Sequence, residues 1–300
     1  MDKLIGFLRL MRPANIITAI SDILAGIAIA VYAGNDVHSY SWQAVALLIL
    51  STTGLYGGGV VLNDVFDAEL DKAERPERPI PSGLISKNAA ALWGMRLLLA
   101  GIAAASAVHT AGWFSASALL AVAIAVCSVV YNKWMKHNPF LGPLNMGICR
   151  GLNLLLGMSI LPAALTHYSY IAVVPVIYIA AITMISRGEV HGGKKNALYG
   201  AALLYAVVIA GILTIGVAHQ YIWYTLAFAV LFGGMIFPPL RSAIRHPSAV
   251  LTGKAVKAGV IALIVMNAAW AAAFGMICFA VLIVLLLPVS LLLAKLFAVT

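Results

Sequence analysis

Asn63, Asp64, Asp67 and Asp71 stand in the stretch VVLNDVFDAELDKAERPERPIPSG, at the end of a long apolar run. On a helix, Asn63 and Asp67 are four apart, as are Asp67 and Asp71; Asp64 and Asp67 are three apart, and Asp64 and Asp71 seven. These spacings put all four on one broad face. Like charges so placed destabilise a helix, and the macrodipole disfavours anions at a helix C-terminus. A cation must compensate. One reading is a solvated helix end with ion pairs to Lys72, Arg75 and Arg78. The other is a site for a hard divalent cation. Oxygen ligands suit Mg²⁺, which is commonly held by one or two carboxylates together with substrate phosphates.

The rest of the chain says where such a site would lie. Its 300 residues are 63% hydrophobic and only 10% charged, with mean hydropathy +1.00, whereas soluble chains carry about 25% charged residues. This composition excludes an ordinary water-soluble globule. It predicts an all-α polytopic membrane protein forming a single transmembrane domain over residues 1–300. Cys127, Cys149 and Cys278 all fall in apolar stretches and read as packed thiols rather than a disulfide framework. No small-residue cleavage site follows a short apolar core near the N-terminus, so the first apolar segment is expected to stay in the membrane.

Apolar segments long enough to span lie near 14–33, 42–62, 88–109, 112–131, 142–163, 168–186, 197–218 and 221–238. The run 257–298 has room for two more, with a turn at Gly275, giving ten spans, or nine if that run is one long or re-entrant helix. Helices are expected because lipid cannot satisfy backbone polar groups. Lys and Arg gather before the first span and in every even connection, for example Lys72, Arg75, Arg78 and Lys87 in the second. The odd connections, near GNDVHSYS, HTAG, ALTHYS and AHQY, contain neither. The N-terminus and the site loops are therefore expected on the cytoplasmic side. The net charge of +9 follows from this one-sided pattern, helped by anionic membrane lipid, and calls for no nucleic acid partner.

The sequence resembles the UbiA-type intramembrane prenyltransferase superfamily. NDVFDAELD fits that family's N-D-x-x-D-x-x-x-D pattern, and RPERPIPSG is similar to the Arg-Pro-Leu-Pro-Ser-Gly element that follows it. MRPAN, YNKWMK and RGLNLLLG are also family-like, so that the resemblance covers roughly residues 5–240. It implies a bundle of about nine transmembrane helices around a central lipid-lined cavity. It implies transfer of a prenyl group from an isoprenyl diphosphate to an aromatic or other lipophilic acceptor, with Mg²⁺ on the diphosphate. By position, Asn63, Asp64, Asp67 and Asp71 would form the first metal–diphosphate motif. Arg78 would contact diphosphate, or is a topology charge. Tyr131, Lys133 and Lys136 would contact substrate, or the lysines are topology charges. Asn15 would face the cavity or is an ordinary helix residue. Arg150, inside an apolar span, is a functional charge or snorkels to the interface.

The second acidic motif of the family departs from pattern here. ISRGEVHGGKK keeps Glu189 but has no Asp. Glu189 and His191 would give a reduced metal site, or Arg187, Lys194 and Lys195 would hold the diphosphate directly; topology alone also accounts for these cations, and His191 also reads as an ordinary loop histidine. The departure resembles the EboC-like branch, which implies a bacterial inner-membrane protein of secondary metabolism. Two rival readings remain. A secondary transporter would use Gly-rich stretches such as LYGGG as broken helices. A non-catalytic lipid-binding relative would keep the first motif and lose the second.

Overall fold

The computed structural model describes residues 2–34, 40–109, 112–186 and 195–297. Regular structure there is helical throughout. A short amphipathic helix α1 (Asp2–Met11) leads into α2 (Pro13–Gly34), followed by α3 (Trp42–Phe66), α4 (Ala68–Glu74), α5 (Lys87–Ser106), α6 (Ala116–Val130), α7 (Leu141–Met158) and α8 (Pro162–Tyr168). Then come α9 (Val173–Ser186), α10 (Lys195–Ala218), α11 (Ile222–Arg245), α12 (Ala249–Ala273), α13 (Ile277–Val284) and α14 (Leu286–Leu296). The starts of α3, α5, α6 and α12 are written locally. Ser41, Ser86, Ser115 and Ser248 each accept a hydrogen bond from the backbone N–H three residues on, which satisfies a donor that the helix itself leaves free.

Among the described residues, nine helical segments are long and apolar enough to cross a membrane, the last apolar run supplying two of them. The α7 helix is not one of them, because Asn145, Arg150 and Asn153 lower its hydropathy, yet it too runs from one end of the bundle to the other. Its start lies against the Lys136 carbonyl. At its far end the Ser159 carbonyl and hydroxyl bond His109 and Ser117. The helix keeps Arg150 and Asn153 because that side of it packs on α2, while Leu144 and Ile148 on its outer side are exposed. Gly275 (φ 74°) makes the expected turn. From it α13 and α14 return to the first end, where Ser290 donates to the Ala14 carbonyl.

Three expectations are corrected. The eighth span does not stop at 238: α11 runs through Pro238 and Pro239 to Arg245. Membrane helices tolerate such interruptions. The ninth begins at Ala249 rather than 257, so Lys254 and Lys257 sit on helix α12 rather than in a connection. The LYGGG stretch is not a broken helix. It lies inside continuous α3, where a Cβ on Gly58 would meet the Gly94 carbonyl at 2.7 Å, so glycine there lets α5 pack backbone to backbone.

Helix α2 sits in the middle: 78% of its most apolar window is buried, and it packs on α3, α7 and α12. At its crossing with α7, Cβ atoms on Gly26 and Gly157 would fall 2.2 and 2.3 Å from opposing carbonyls. Only glycine allows this approach, which brings the polar residues of the two helices into contact.

Candidate active site

A cavity of about 450 Å³ lies between α2, α3, α6, α7, α9 and α12. Its deep walls are apolar, with Leu55, Ile124, Ile179, Ile182 and Leu263. Its mouth is ionic: Arg12, Asn63, Asp67, Arg75, Arg78 and Lys136 all line it.

Helical geometry explains how the acidic stretch divides. At about 100° per residue, Asp64 and Asp71 project within roughly 20° of one another, and Asn63 and Asp67 within about 40°. The broad face therefore splits in two. Asp64 and Asp71, both buried, turn to Arg78, whose Nη1 donates to Asp71 Oδ2 at 2.8 Å and to Asp64 Oδ1 at 3.5 Å. Asn63 and Asp67 turn to the cavity. Lys136 forms an ion pair with Asp67, and the Asn63 amide donates to Asn132 Oδ1 at 2.9 Å. Asn132 in turn donates to the Gly59 carbonyl, which ties the end of α6 to α3. Arg12 closes the other side. It sits between α1 and α2 at φ 50°, a left-handed conformation costly for a side-chain-bearing residue, and its Nη2 donates to Asp64 Oδ1 at 2.6 Å. Arg78 Nε is buried without a partner. Below the mouth, exposed Glu69 is paired with Lys72, which holds its carboxyl below the usual range.

A model of the UbiA prenyltransferase family matches residues 23–249. The chain belongs to the UbiA prenyltransferase family. It is 27% identical over 235 residues to the digeranylgeranylglyceryl phosphate synthase of Methanothrix thermoacetophila, covering 71% of this chain and 82% of that one. A solved structure of a digeranylgeranylglyceryl phosphate synthase superposes with TM-score 0.63 at 22% identity, covering 93% of this chain and 100% of that one. A UbiA homologue from Archaeoglobus fulgidus, bound to DMAPP and Mg²⁺, superposes with TM-score 0.56 at 16% identity over 86% of this chain and 98% of its own. These two likenesses show the fold. The relatives bear the name of digeranylgeranylglyceryl phosphate synthase, so the EboC-like placement inferred from the second motif finds no counterpart among them.

Within this UbiA fold the expected site residues separate. Asn15, Asn63, Asp67, Arg78, Tyr131, Lys136 and Arg150 all line the cavity. Lys133 does not. It is exposed, with its ammonium 4.5 Å over the Trp134 ring, the arrangement of a side chain snorkelling at the interface. Lys195 is likewise exposed, at the start of α10, away from the cavity. Arg187, Glu189, His191 and Lys194 lie outside the described residues. Asp64 and Asp71 were expected as metal ligands beside Asp67. In this structure they pair with Arg12 and Arg78, on the side of the helix turned from Asp67. Among the described residues no group of three His, Cys, Asp or Glu side chains converges on one point. Of the acidic motif, Asn63 and Asp67 are the side chains that line the cavity, where they could offer oxygen ligands to an Mg²⁺ ion that takes its others from phosphate and water.

Sequence reading missed a second polar centre, deeper in the bundle. Asp22 of α2 accepts from Arg150 Nη1 at 2.8 Å and Asn153 at 3.1 Å through Oδ2, and from Asn267 at 2.7 Å through Oδ1. Arg150 Nη2 also donates to Thr18 Oγ1 at 2.6 Å. Arg150 therefore does not snorkel: it is 8% exposed and paired inside the membrane. The available signal was an acid within the apolar run ITAISDILAG, since an intramembrane charge calls for a partner.

Proposed function

We propose that this UbiA-family enzyme transfers a prenyl group from an isoprenyl diphosphate to a lipophilic acceptor carrying glyceryl phosphate, acting as one transmembrane unit over 1–300 with its mouth on the cytoplasmic side. The acceptor class comes from the name of its relatives; an aromatic acceptor is the broader alternative. The observation that carries the reading is the polarity of one cavity. Among the described residues, its rim has four basic side chains around a single open carboxylate, and its depth is apolar. A diphosphate head with a hydrocarbon tail has that same division.

In this reading the prenyl chain lies along Leu55, Ile124 and Ile182, out of water. Arg12, Arg75, Arg78 and Lys136 bind the diphosphate; Arg78 still has a free Nε–H to give. When the allylic C–O bond breaks, the electron pair leaves with the diphosphate, and these cations stabilise the charge that develops there. Asp67 and Asn63 would hold Mg²⁺, which when bound would supply further neutralisation of the leaving group. The apolar walls keep water from the allylic cation until the acceptor bonds to it. By resemblance to the family's second motif, Glu189 is proposed as a further metal ligand and Arg187 and Lys194 as diphosphate contacts. The positive-inside charge pattern supports the cytoplasmic orientation.

The test is a lipid-phase assay with isoprenyl diphosphates of several lengths and geranylgeranylglyceryl phosphate as acceptor, with Mg²⁺ and then with chelator. Metal-dependent release of diphosphate with a prenylated lipid product is expected. Binding of diphosphates without any turnover would favour a non-catalytic relative, and flux across vesicles a transporter.

A further inference from the structure

A groove of about 260 Å³ runs between α6 and α7 on the outer face of the bundle, near the ionic end. Its rim is apolar and faces outward: Val126, Leu141, Leu144 and Ile148 are each more than a third exposed. Both helices run through the bilayer, so this exposure is to hydrocarbon. The floor holds an anomaly. Asn145 is 6% exposed, and its amide finds only sulfur. Its Nδ2 donates to Met135 Sδ at 3.2 Å, and its Oδ1 accepts from Cys149 Sγ at 3.5 Å. Sulfur is a weak hydrogen-bond partner, and a primary amide has two N–H donors to satisfy. In a hydrocarbon setting a poorly satisfied amide is costly.

The local backbone aims the groove. The end of α6 widens into a π-helical turn at Tyr131–Met135, which carries Met135 over Asn145. Such turns are rare and cluster at functional sites. On the inner side the partition is thin. Cys127 lines the groove, Cys149 lines the central cavity, and their thiols meet. Tyr131, one turn beyond Cys127, lines the cavity beside Asp67. Exposed Trp134, with Lys133 over its ring, marks the interfacial depth just beyond the groove.

We propose that the α6–α7 groove is a lateral binding site for an oxygen-headed single-chain lipid, with Asn145 bonding its oxygen and the apolar rim holding its chain. Resting on the prenyltransferase reading, its occupant is the membrane-borne acceptor, held beside the cavity across the Cys127–Cys149 contact. A plain hydrocarbon tail has the right shape for the rim but leaves the amide unanswered. A lipid whose hydroxyl, ether or ester oxygen sits at interfacial depth answers both.

The test uses the full chain in lipid nanodiscs with two photoactivatable probes, a diazirine-bearing hexadecanol and the matching hexadecane, and maps the labelled peptides. The alcohol is expected to label 126–148 in preference to the hydrocarbon. Asn145→Leu should lower alcohol labelling by about fivefold, the worth of one neutral hydrogen bond, without changing hydrocarbon labelling. Leu144→Trp fills the groove from an exposed position, spares the interior, and should block both probes. Equal labelling by the two probes, or an Asn145→Leu chain labelled like the wild type, would overturn the proposal and leave an ordinary lipid-facing crevice. Geranyl diphosphate binding is measured on the same samples. If it is absent from the wild type, the prenyltransferase reading fails, while the groove is still judged by its own labels.

Discussion

The chain buries two ionic centres, and they are built differently. At the deep centre, both Asp22 oxygens are bonded, and Arg150, Asn153 and Asn267 converge on them from two other helices. At the mouth, Arg78 keeps an unpartnered Nε, Arg75 is exposed, and Asp67 opens to the cavity. A charge that is fully answered by protein is part of the architecture. A charge that is half answered has room for a ligand. Removing one partner from a buried pair strands the other, so the deep centre should fail by unfolding, whereas the mouth should fail by losing substrate.

Asp67→Ala is the strongest test of that division. Turnover is expected to fall by about a hundredfold or more, the size of losing one positioned electrostatic group, while thermal unfolding in detergent stays near that of the wild type. Full activity in this variant would remove Asp67 from the chemistry. The converse test is at the deep centre. Asp22→Leu should cost about 3–5 kcal/mol by stranding Arg150 in a low-dielectric interior. The double variant Asp22→Leu, Arg150→Met should recover most of that loss. A double variant no more stable than the single one would break the view that the pair is architectural.

Arg78 sharpens the comparison because it belongs to both kinds of contact, bonding Asp71 and lining the cavity. Arg78→Gln is expected to weaken geranyl diphosphate binding about ten- to a hundredfold, since hydrogen bonds to charged groups are worth roughly 1.5–3 kcal/mol. Calorimetry with and without Mg²⁺ would measure it; unchanged affinity would leave Arg78 as a counter-ion alone. The smallest effect is expected at the far end, where His219 Nδ1 bonds the Tyr32 hydroxyl at 2.6 Å. Burial pushes the His219 imidazole below its ordinary value. The unfolded chain therefore takes a proton first as pH falls through about 6.5, and stability declines from there downward. Unfolding followed from pH 7.5 to 5 should show this slope, and His219→Phe should flatten it.

Much of this was written locally. Apolar run lengths located most of the spans, and Gly275 marked the turn. The stretch 63–78 announced the ionic mouth by residue type and spacing. Periodicity settles the angle of a side chain about its own helix axis. It does not say what stands opposite. The same spacing that grouped Asn63, Asp64, Asp67 and Asp71 allowed either one metal cluster or two narrower faces. In this structure Arg12 and Arg78 meet Asp64, Arg78 meets Asp71, and Lys136 meets Asp67, so the four side chains divide between two faces. Lys133 and Lys136 are three apart in one turn, yet only Lys136 reaches the cavity, because the π-helical turn points Lys133 outward. Asp22 and Arg150 are 128 residues apart. Each alone reads as a charge misplaced in an apolar run. Their pairing exists only because Gly26 and Gly157 let α2 and α7 close to backbone contact, a distance set by two helices together and by neither sequence segment alone.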